Sequence, residues 1–350
     1  MMVSSFYRGK RILVTGHTGF KGAWLCRLLL EAGAEVTGYA LEPPTEPSLY
    51  ELAGLAGELH AVTGDIRDLE HLGRIFAQAR PEVVFHLAAQ PIVREGYRDP
   101  VGTYAVNVMG TVHLLECVRR SDSVRSVINV TTDKVYDNRE WAWPYRESDR
   151  LDGCDPYSNS KSCSELVTHS YLRSFLGERG VAVSTMRAGN VIGGGDFAPD
   201  RIVPDCIRSA LAGERIVVRS PHSVRPYQHV LEPLSAYLLV AEAQAADVSA
   251  AGNYNVGPSD EDIITTGELA ELFCQLWGDG AQWRSLEQSA GPHEAAILRL
   301  DSSRLRARLG WRPRWHIGRA LEETIRWVEA WQSGESVQDE MNREITRYFG

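Results

Sequence analysis

Residues Arg11-Ile-Leu-Val-Thr15 form a short apolar run that leads directly into Gly16-His-Thr-Gly19-Phe-Lys-Gly22. Ala23-Trp-Leu-Cys-Arg-Leu-Leu-Leu-Glu-Ala32 follows, and Gly33 ends it. The run reads as a buried strand, the glycines as a tight turn, and Gly22–Ala32 as a helix with a glycine stop. Glycines placed this way allow the sharp turn, close backbone approach to a pyrophosphate, and close packing of helix on strand. The helix N-terminus adds free N–H groups and a partial positive charge. The spacing is Gly-x-x-Gly-x-x-Gly rather than the Gly-x-Gly-x-x-Gly of most dinucleotide folds. A glycine-rich connection that holds no ligand is the alternative reading.

Strand-like and helix-like stretches then alternate. Strands are expected at Glu35–Ala40, Leu59–Thr63, Val83–Leu87, Ser126–Thr131 and Ala182–Arg187, with helices at Leu69–Ala79, Pro100–Arg120 and Pro156–Leu176. This order predicts an α/β chain with a parallel, doubly wound sheet. Apolar strands such as Val83-Val-Phe-His-Leu87 suit a sheet covered on both faces. After Arg187 the regularity breaks at Gly193-Gly-Gly-Asp196, Pro199, Pro204, Pro221 and Pro226. One more strand is expected at Gly252–Val256, and helices at Thr265–Leu276 and Ile317–Gln332. Residues 1–187 thus read as a dinucleotide domain, and 188–350 as mainly a smaller substrate lobe with some segments returning to the first. That lobe would cover the carboxyl ends of the strands, where open α/β sheets bind ligands. The tail Ser333–Gly350 is polar and has no assigned element.

Tyr157-Ser-Asn-Ser-Lys161 lies 25 residues after Thr132-Asp133-Lys134. A Tyr and a Lys four apart share one helix face. A nearby ammonium favours the phenolate and lowers the tyrosine pKa from its usual value of about 10. A general base usable near neutral pH results. The Thr132 hydroxyl could hold a substrate oxygen beside it. The three together could take a proton from an alcohol while a hydride leaves its carbon.

These words resemble the extended short-chain dehydrogenase/reductase superfamily and, within it, the CDP-glucose branch of the nucleotide-sugar 4,6-dehydratases. The matching words are Gly16-His-Thr-Gly-Phe-Lys-Gly-Ala-Trp24, Leu87-Ala-Ala-Gln-Pro91, Val130-Thr-Thr-Asp-Lys-Val-Tyr-Asp-Asn138, Tyr157-Ser-Asn-Ser-Lys161, Arg187-Ala-Gly-Asn-Val-Ile-Gly-Gly-Gly-Asp196 and Arg225-Pro-Tyr-Gln-His-Val230. The resemblance implies a Rossmann-type sheet and bound NAD that is regenerated in each turnover. NAD would lie on Gly16, Thr18, Gly19, Phe20, Lys21 and Gly22, on Asp65 and Ile66 near the adenine, on Leu87, Ala88 and Ala89, and on Tyr157 and Lys161. Tyr157 would take the sugar 4-hydroxyl proton, Lys161 would depress the tyrosine pKa and hold the nicotinamide ribose, and Thr132 would bind the 4-oxygen. Asp133 and Lys134 would be the acid and base of the elimination. CDP-glucose would meet Gln90, Asn107, Asn190, Arg201, Arg219, Arg225 and Glu294. The helices Thr103–Arg120 and Pro156–Leu176 would pair with their copies, giving a homodimer or homotetramer. As bland alternatives, Asp65 would cap the helix that starts near Asp68, and the arginines would be surface charges. Glu42, 20 residues after Gly22, could grip the adenosine ribose, and no Arg beside it would receive a 2′-phosphate, which favours NAD over NADP.

Composition limits what else such a chain can do. A net charge of −9 argues against a general nucleic-acid binder. It leaves room for an anionic substrate in a local arginine pocket. Six cysteines without a Cys-x-x-Cys pair favour neither a metal site nor a disulfide framework. No apolar run approaches a membrane span, and Met1–Lys10 lacks a signal-peptide apolar region, so a cytoplasmic protein is expected. A 4-epimerase or reductase would share Thr132, Tyr157 and Lys161 but would not need Asp133-Lys134. A silent NAD-binding scaffold would not need the intact set.

Overall fold

The structure, a computed structural model, describes residues 4–286 and 296–350. Seven parallel strands form its central sheet: β1 (Arg11–Thr15), β2 (Glu35–Ala40), β3 (His60–Thr63), β4 (Val83–His86), β5 (Ser126–Val130), β6 (Ala182–Ala188) and β7 (Asn253–Val256). Their spatial order is β7-β6-β5-β4-β1-β2-β3. The order reverses between β1 and β4, which opens a crevice at the carboxyl ends. Alternation along β1 sends Leu13 to one face and Ile12 and Val14 to the other, and each face carries its own core. The helices α1 (Phe20–Glu31), α2 (Leu69–Ala79), α3 (Gly110–Arg120) and α4 (Pro156–Tyr171) follow β1, β3, β4 and β5.

Several elements depart from the sequence expectation. Pro100–Arg120 is a helix interrupted by a π-helical turn at Ala105–Met109, and a second such turn, Leu172–Leu176, extends α4. Beyond β6 come α5 (Ile202–Leu211), α6 (Leu231–Ala246), α7 (Thr266–Trp277), α8 (Ile317–Gln332) and α9 (Val337–Phe349). The sequence reading had no helix at α5, α6 or α9. α6 packs under β5 and β6, where the Ser126 hydroxyl donates to Ala241 O at 2.9 Å and Gln244 Nε2 to Val127 O at 3.0 Å. α9 returns to the first β-α unit. Its Glu344 lies 2.8 Å from His229 Nε2, both fully buried, and His229 packs edge-on to Trp24 of α1. Short strand pairs Val191–Ile192 with Gln228–His229 and Val224–Arg225 with Ile264–Thr265 form the second region's floor.

A buried ion pair joins these parts. Glu165 on α4 and Arg187 on β6 have side chains 0% and 1% exposed and are bonded by two contacts of 2.8 Å. Glu165 also accepts the Thr131 hydroxyl at 2.6 Å and the Thr185 hydroxyl at 2.7 Å. Arg187 donates to Tyr136 Oη at 2.8 Å, and Tyr136 donates to Asn255 Oδ1 of β7 at 2.6 Å. Every charge in the pair is therefore compensated. Arg187→Met, which strands the Glu165 carboxylate, is expected to destabilise the fold by about 3–5 kcal/mol, while the double variant Arg187→Met/Glu165→Leu recovers most of that loss. Urea denaturation of the four proteins checks this as a double-mutant cycle.

Candidate active site

The carboxyl ends of β5 and β6, the segment Pro91–Arg94 after β4 and the first turns of α1 and α5 enclose a cavity of about 340 Å³. β5 ends at Val130, Thr132 is still extended, and the chain then tightens into a 3₁₀ turn over Asp133–Val135 capped by Thr132. The turn fans three consecutive side chains, Thr132, Asp133 and Lys134, onto the cavity wall. Tyr157 enters from α4, whose start is fixed by Pro156 and by the Asp155 carboxylate accepting Ser158 N at 3.0 Å. Asn190, Arg201, Arg219 and Arg225 reach the same cavity from the second region, with Lys21 coming from the first turn of α1.

The hydrogen bonds of the site are local. The Thr132 hydroxyl donates to Asp133 Oδ1 at 2.9 Å. Lys161 Nζ donates to Val130 O at 3.1 Å. Arg201 pairs with Asp196 at 2.8 Å and Arg219 with Asp200 at 2.6 Å. Arg225 is buried in its short strand and donates to Val224 O at 2.9 Å.

The electrostatics correct one sequence expectation. Tyr157 was expected to carry a lowered pKa. Burial of the phenol instead pushes it up to about 12, only partly offset by the Thr132 hydroxyl. Lys161 takes the opposite shift: burial, then repulsion from Lys21, brings it down to about 7, against the pull of Glu165. Lys21 falls to about 8 through burial and Arg201, with Asp133 and Asp196 resisting.

The glycine turn has the shape of a phosphate cradle. Gly16 has φ +77°, and a Cβ there would lie 2.7 Å from Ala88 N. A Cβ on Gly22 would lie 2.0 Å from the Gly16 carbonyl oxygen. Gly19, the N-cap of α1, has no side chain to occupy the first-turn amides. A dinucleotide fits such a turn. Thr18 donates to Leu41 O at 3.0 Å, Phe20 stands against Gly193, and Ala88 N donates to Thr15 Oγ1 at 3.2 Å, so Leu87-Ala88-Ala89 leaves β4 close to β1. Asp65 pairs with Arg67 at 2.5 Å, which holds its carboxyl below the usual range, and Ile66 packs against Gly110. The helix cap beside it is Asp68, which accepts His71 N at 2.9 Å. Glu42 is exposed and accepts the Thr63 hydroxyl at 3.1 Å.

Two residues assigned to substrate lie elsewhere. Asn107 is 1% exposed. It accepts Gln90 N at 2.9 Å and donates to Gln90 O at 3.0 Å and Ser160 Oγ at 2.9 Å. Gln90 Nε2 in turn donates to Thr103 Oγ1 at 2.8 Å. This brace ties β4 to α4 from behind the cavity wall. Glu294, with Pro292 and His293, lies outside the described residues. Arg94, Cys154 and Asp196 line the cavity without having been singled out. Asp196 closes the Gly193-Gly-Gly-Asp word, which was the available signal. Elsewhere, carboxylate oxygens of Glu323, Glu340 and Glu344 come within 4.8 Å of one another, but Arg326, Arg343 and Arg347 pair with the first two. No helix among the described residues is long and apolar enough to cross a membrane.

The buried lysines predict a pH signature. Lys161 and Lys21 have folded pKa values of about 7 and about 8 against 10.5 for an exposed lysine. Between those values the unfolded chain binds more protons than the folded one, so unfolding free energy rises with pH across that window. His17 and His86, lowered by burial to about 4 and about 3, act below it. Urea titrations of the cofactor-free protein at pH 7 and 9 should show the rise, and Lys161→Met should reduce it.

Residues 13–324 match the family described as GDP-mannose 4,6 dehydratase. The chain is 48% identical to a CDP-glucose 4,6-dehydratase of Salmonella typhimurium, covering 100% of this chain and 99% of that protein. It is 32% identical to a dTDP-glucose 4,6-dehydratase of Streptomyces antibioticus, covering 90% of this chain and 91% of that one. Among solved structures, a Thermus thermophilus UDP-glucose 4-epimerase in complex with NAD superposes with a TM-score of 0.77 at 25% identity, covering 90% and 97% of the two chains.

Proposed function

The chain belongs to the GDP-mannose 4,6 dehydratase family, and from that premise we propose that it converts CDP-glucose to CDP-4-keto-6-deoxyglucose with loss of water. The observation that carries this reading is the cavity in which Thr132, Asp133, Lys134 and Tyr157 meet four arginines, Arg94, Arg201, Arg219 and Arg225. An epimerase or reductase would use Thr132 and Tyr157 but has no task for the adjacent pair Asp133-Lys134.

The cofactor is NAD, which the Gly16–Gly22 turn, Asp65, Ile66, Leu87, Ala88 and Ala89 would hold. When bound, NAD accepts the hydride from C4 of the sugar and returns it at C6, so none is consumed. The chain's residues carry the protons. Tyr157 takes the proton of the 4-hydroxyl while Thr132 turns its hydroxyl from Asp133 toward the 4-oxygen. Lys161, bonded to Val130 O, stands one helical turn from Tyr157 and holds the ribose. The 4-ketone acidifies C5–H, and Lys134 removes that proton. Asp133 faces C6. Arg225 and Asn190 grip the diphosphate, and Arg201 and Arg219 bind it after exchanging their present carboxylate partners for phosphate oxygens.

The chain works as a homodimer or homotetramer in the cytoplasm. Met109, Leu166 and Phe175, exposed by 47%, 56% and 44%, lie on the two helices that would pair with their copies.

Purified protein given CDP-glucose and NAD should yield a product lighter by one water with no net loss of NAD. A product of unchanged mass would instead support the epimerase reading. Parallel incubations with dTDP-glucose and GDP-mannose test the nucleobase. Tyr157→Phe should lower turnover by roughly 10²–10⁴. Arg225→Ala should weaken CDP-glucose binding by roughly 10- to 150-fold, from about 1.5–3 kcal/mol for a charged hydrogen bond, with NAD binding unchanged in calorimetry.

A further inference from the structure

The sequence word that contains Thr132, Asp133 and Lys134 runs on through Val135-Tyr-Asp-Asn138, and the reaction gives this second half no task. Asn138 ends the word and lines the same cavity as Lys134. Its amide is held in one orientation. The Tyr145 hydroxyl accepts Arg139 N at 2.7 Å, which leaves its own proton for Asn138 Oδ1 at 2.9 Å. Glu140 N donates to the same oxygen at 2.9 Å. With the carbonyl oxygen held by two donors, the amide nitrogen faces the other way, and Nδ2 donates to Ile297 O at 3.1 Å. Tyr145 is fixed in turn: it is buried, and its ring stacks on Tyr136 at 5.0 Å.

Ile297 belongs to a strap, residues 296–301, laid between the two regions of the chain. On one side Tyr145 N donates to Arg299 O and Asp301 N to Tyr145 O, each at 2.9 Å, and Ala296 N donates to Glu140 Oε1 at 2.7 Å. On the other side Val224 N donates to Ala296 O at 2.8 Å and Leu298 N to Val224 O at 3.3 Å. That same Val224 carbonyl accepts Arg225 Nη1 at 2.9 Å. An unbroken run of bonds therefore leads from Asn138, four residues past Lys134, through the strap to the Arg225 guanidinium. Leu298 packs against Val135, Tyr136 and Tyr145 within this run and also lines the cavity.

We propose that Asn138 is a positioning residue for substrate binding, which acts through the strap to set the Arg225 guanidinium relative to the Thr132–Lys134 wall. This rests on the reading of Arg225 as a diphosphate ligand. In that reading the reacting carbons C4 to C6 lie at one end of a hexose and the diphosphate on C1 at the other. A rigid ring then demands a fixed spacing between the two walls, and a small error in it costs binding and orientation together. Asn138 acts on that spacing without touching the diphosphate, so its effect depends on Arg225 being present.

The dependence is measured as a double-mutant cycle. Wild type, Asn138→Ala, Arg225→Ala and the double variant, with folding verified by circular dichroism, are titrated with CDP-glucose and separately with NAD in a calorimeter. Asn138→Ala should weaken CDP-glucose binding by roughly 3- to 10-fold, the worth of one hydrogen bond, and leave NAD binding unchanged. In the Arg225→Ala background the same substitution should change CDP-glucose affinity by less than about 2-fold. Direct contact of Asn138 with the substrate, or a general loosening of the fold, gives the same loss in both backgrounds, and that result overturns the proposal. Unchanged CDP-glucose affinity in Asn138→Ala overturns it too, as do equal losses for CDP-glucose and NAD. Tyr145 is not among the residues lining the cavity, and Tyr145→Phe keeps the stacked ring while removing the hydroxyl that orients the amide. It carries the same cycle if Asn138→Ala does not fold: a loss that disappears without Arg225 is expected, and no loss or an additive one overturns the proposal. If wild-type protein binds no CDP-glucose, or Arg225→Ala binds it unchanged, the underlying substrate reading fails and this role fails with it. Wild-type binding with additive losses rejects the Asn138 role alone.

Discussion

The Glu165–Arg187 pair sets the positions on which the site depends. Two opposite charges with side chains at most 1% exposed carry a large desolvation cost, offset only when every donor and acceptor is used. Here the carboxylate takes four donors and the guanidinium reaches Tyr136, which reaches Asn255. The geometry is therefore demanding, and it joins four places that carry the site. Glu165 is two helical turns beyond Tyr157 and one beyond Lys161 on the same helix. Thr131 precedes Thr132. Arg187 precedes the Ala188-Gly189-Asn190 turn. Asn255 brings β7 into the sheet beside β6. A shift in any of these elements strains bonds of 2.6–2.8 Å in all of them.

The cavity's charge balance follows from the same crowding. Lys21, Lys161 and Arg201 lie close enough for mutual repulsion, and burial removes the water that would screen it. Both lysines become stronger acids than they would be in water, while the buried phenol of Tyr157 becomes a weaker one. Bound phosphates and a developing 4-oxyanion would supply negative charge where the lysines need it. The lowered tyrosine pKa expected from the Tyr-x-x-x-Lys spacing counted the neighbouring ammonium and not the burial of the phenol, which raises it.

How legible the chain was depends on what each element packs against. Strands β1, β2 and β4 to β6 stood out as short runs rich in β-branched residues bounded by turns, and their expected bounds agree with the structure to within about a residue. The glycine word and the Thr132, Asp133, Lys134 and Tyr157 set were legible because chemistry fixes both residue type and spacing. α6 was not, because ten of its 16 residues are buried and an apolar surface on all sides gives no helical period. α9 was hidden for the opposite reason. Its polar sequence buries Glu340 and Glu344, and the Glu344 carboxylate faces His229 from a distant part of the chain. No local pattern reports such partners. Asn107 and Gln90 were expected at the substrate from the resemblance alone, and in the structure the Asn107 amide bonds the Gln90 backbone.

The adjacency of Thr132, Asp133 and Lys134 has a geometric origin. In a continuing strand, neighbouring residues point to opposite faces, and Asp133 would lie across the sheet from Thr132. The 3₁₀ turn that begins at Asp133 breaks this alternation, and the Thr132 hydroxyl both caps the turn and binds Asp133. Three functional side chains therefore share one wall only because β5 ends where it does. Thr131, held by Glu165, fixes that end point. In the dehydratase reading, oxidation at C4 and elimination across C5 and C6 concern three adjacent carbons of one ring. A strand end that presents three adjacent residues to one cavity matches that demand without moving the sugar between steps.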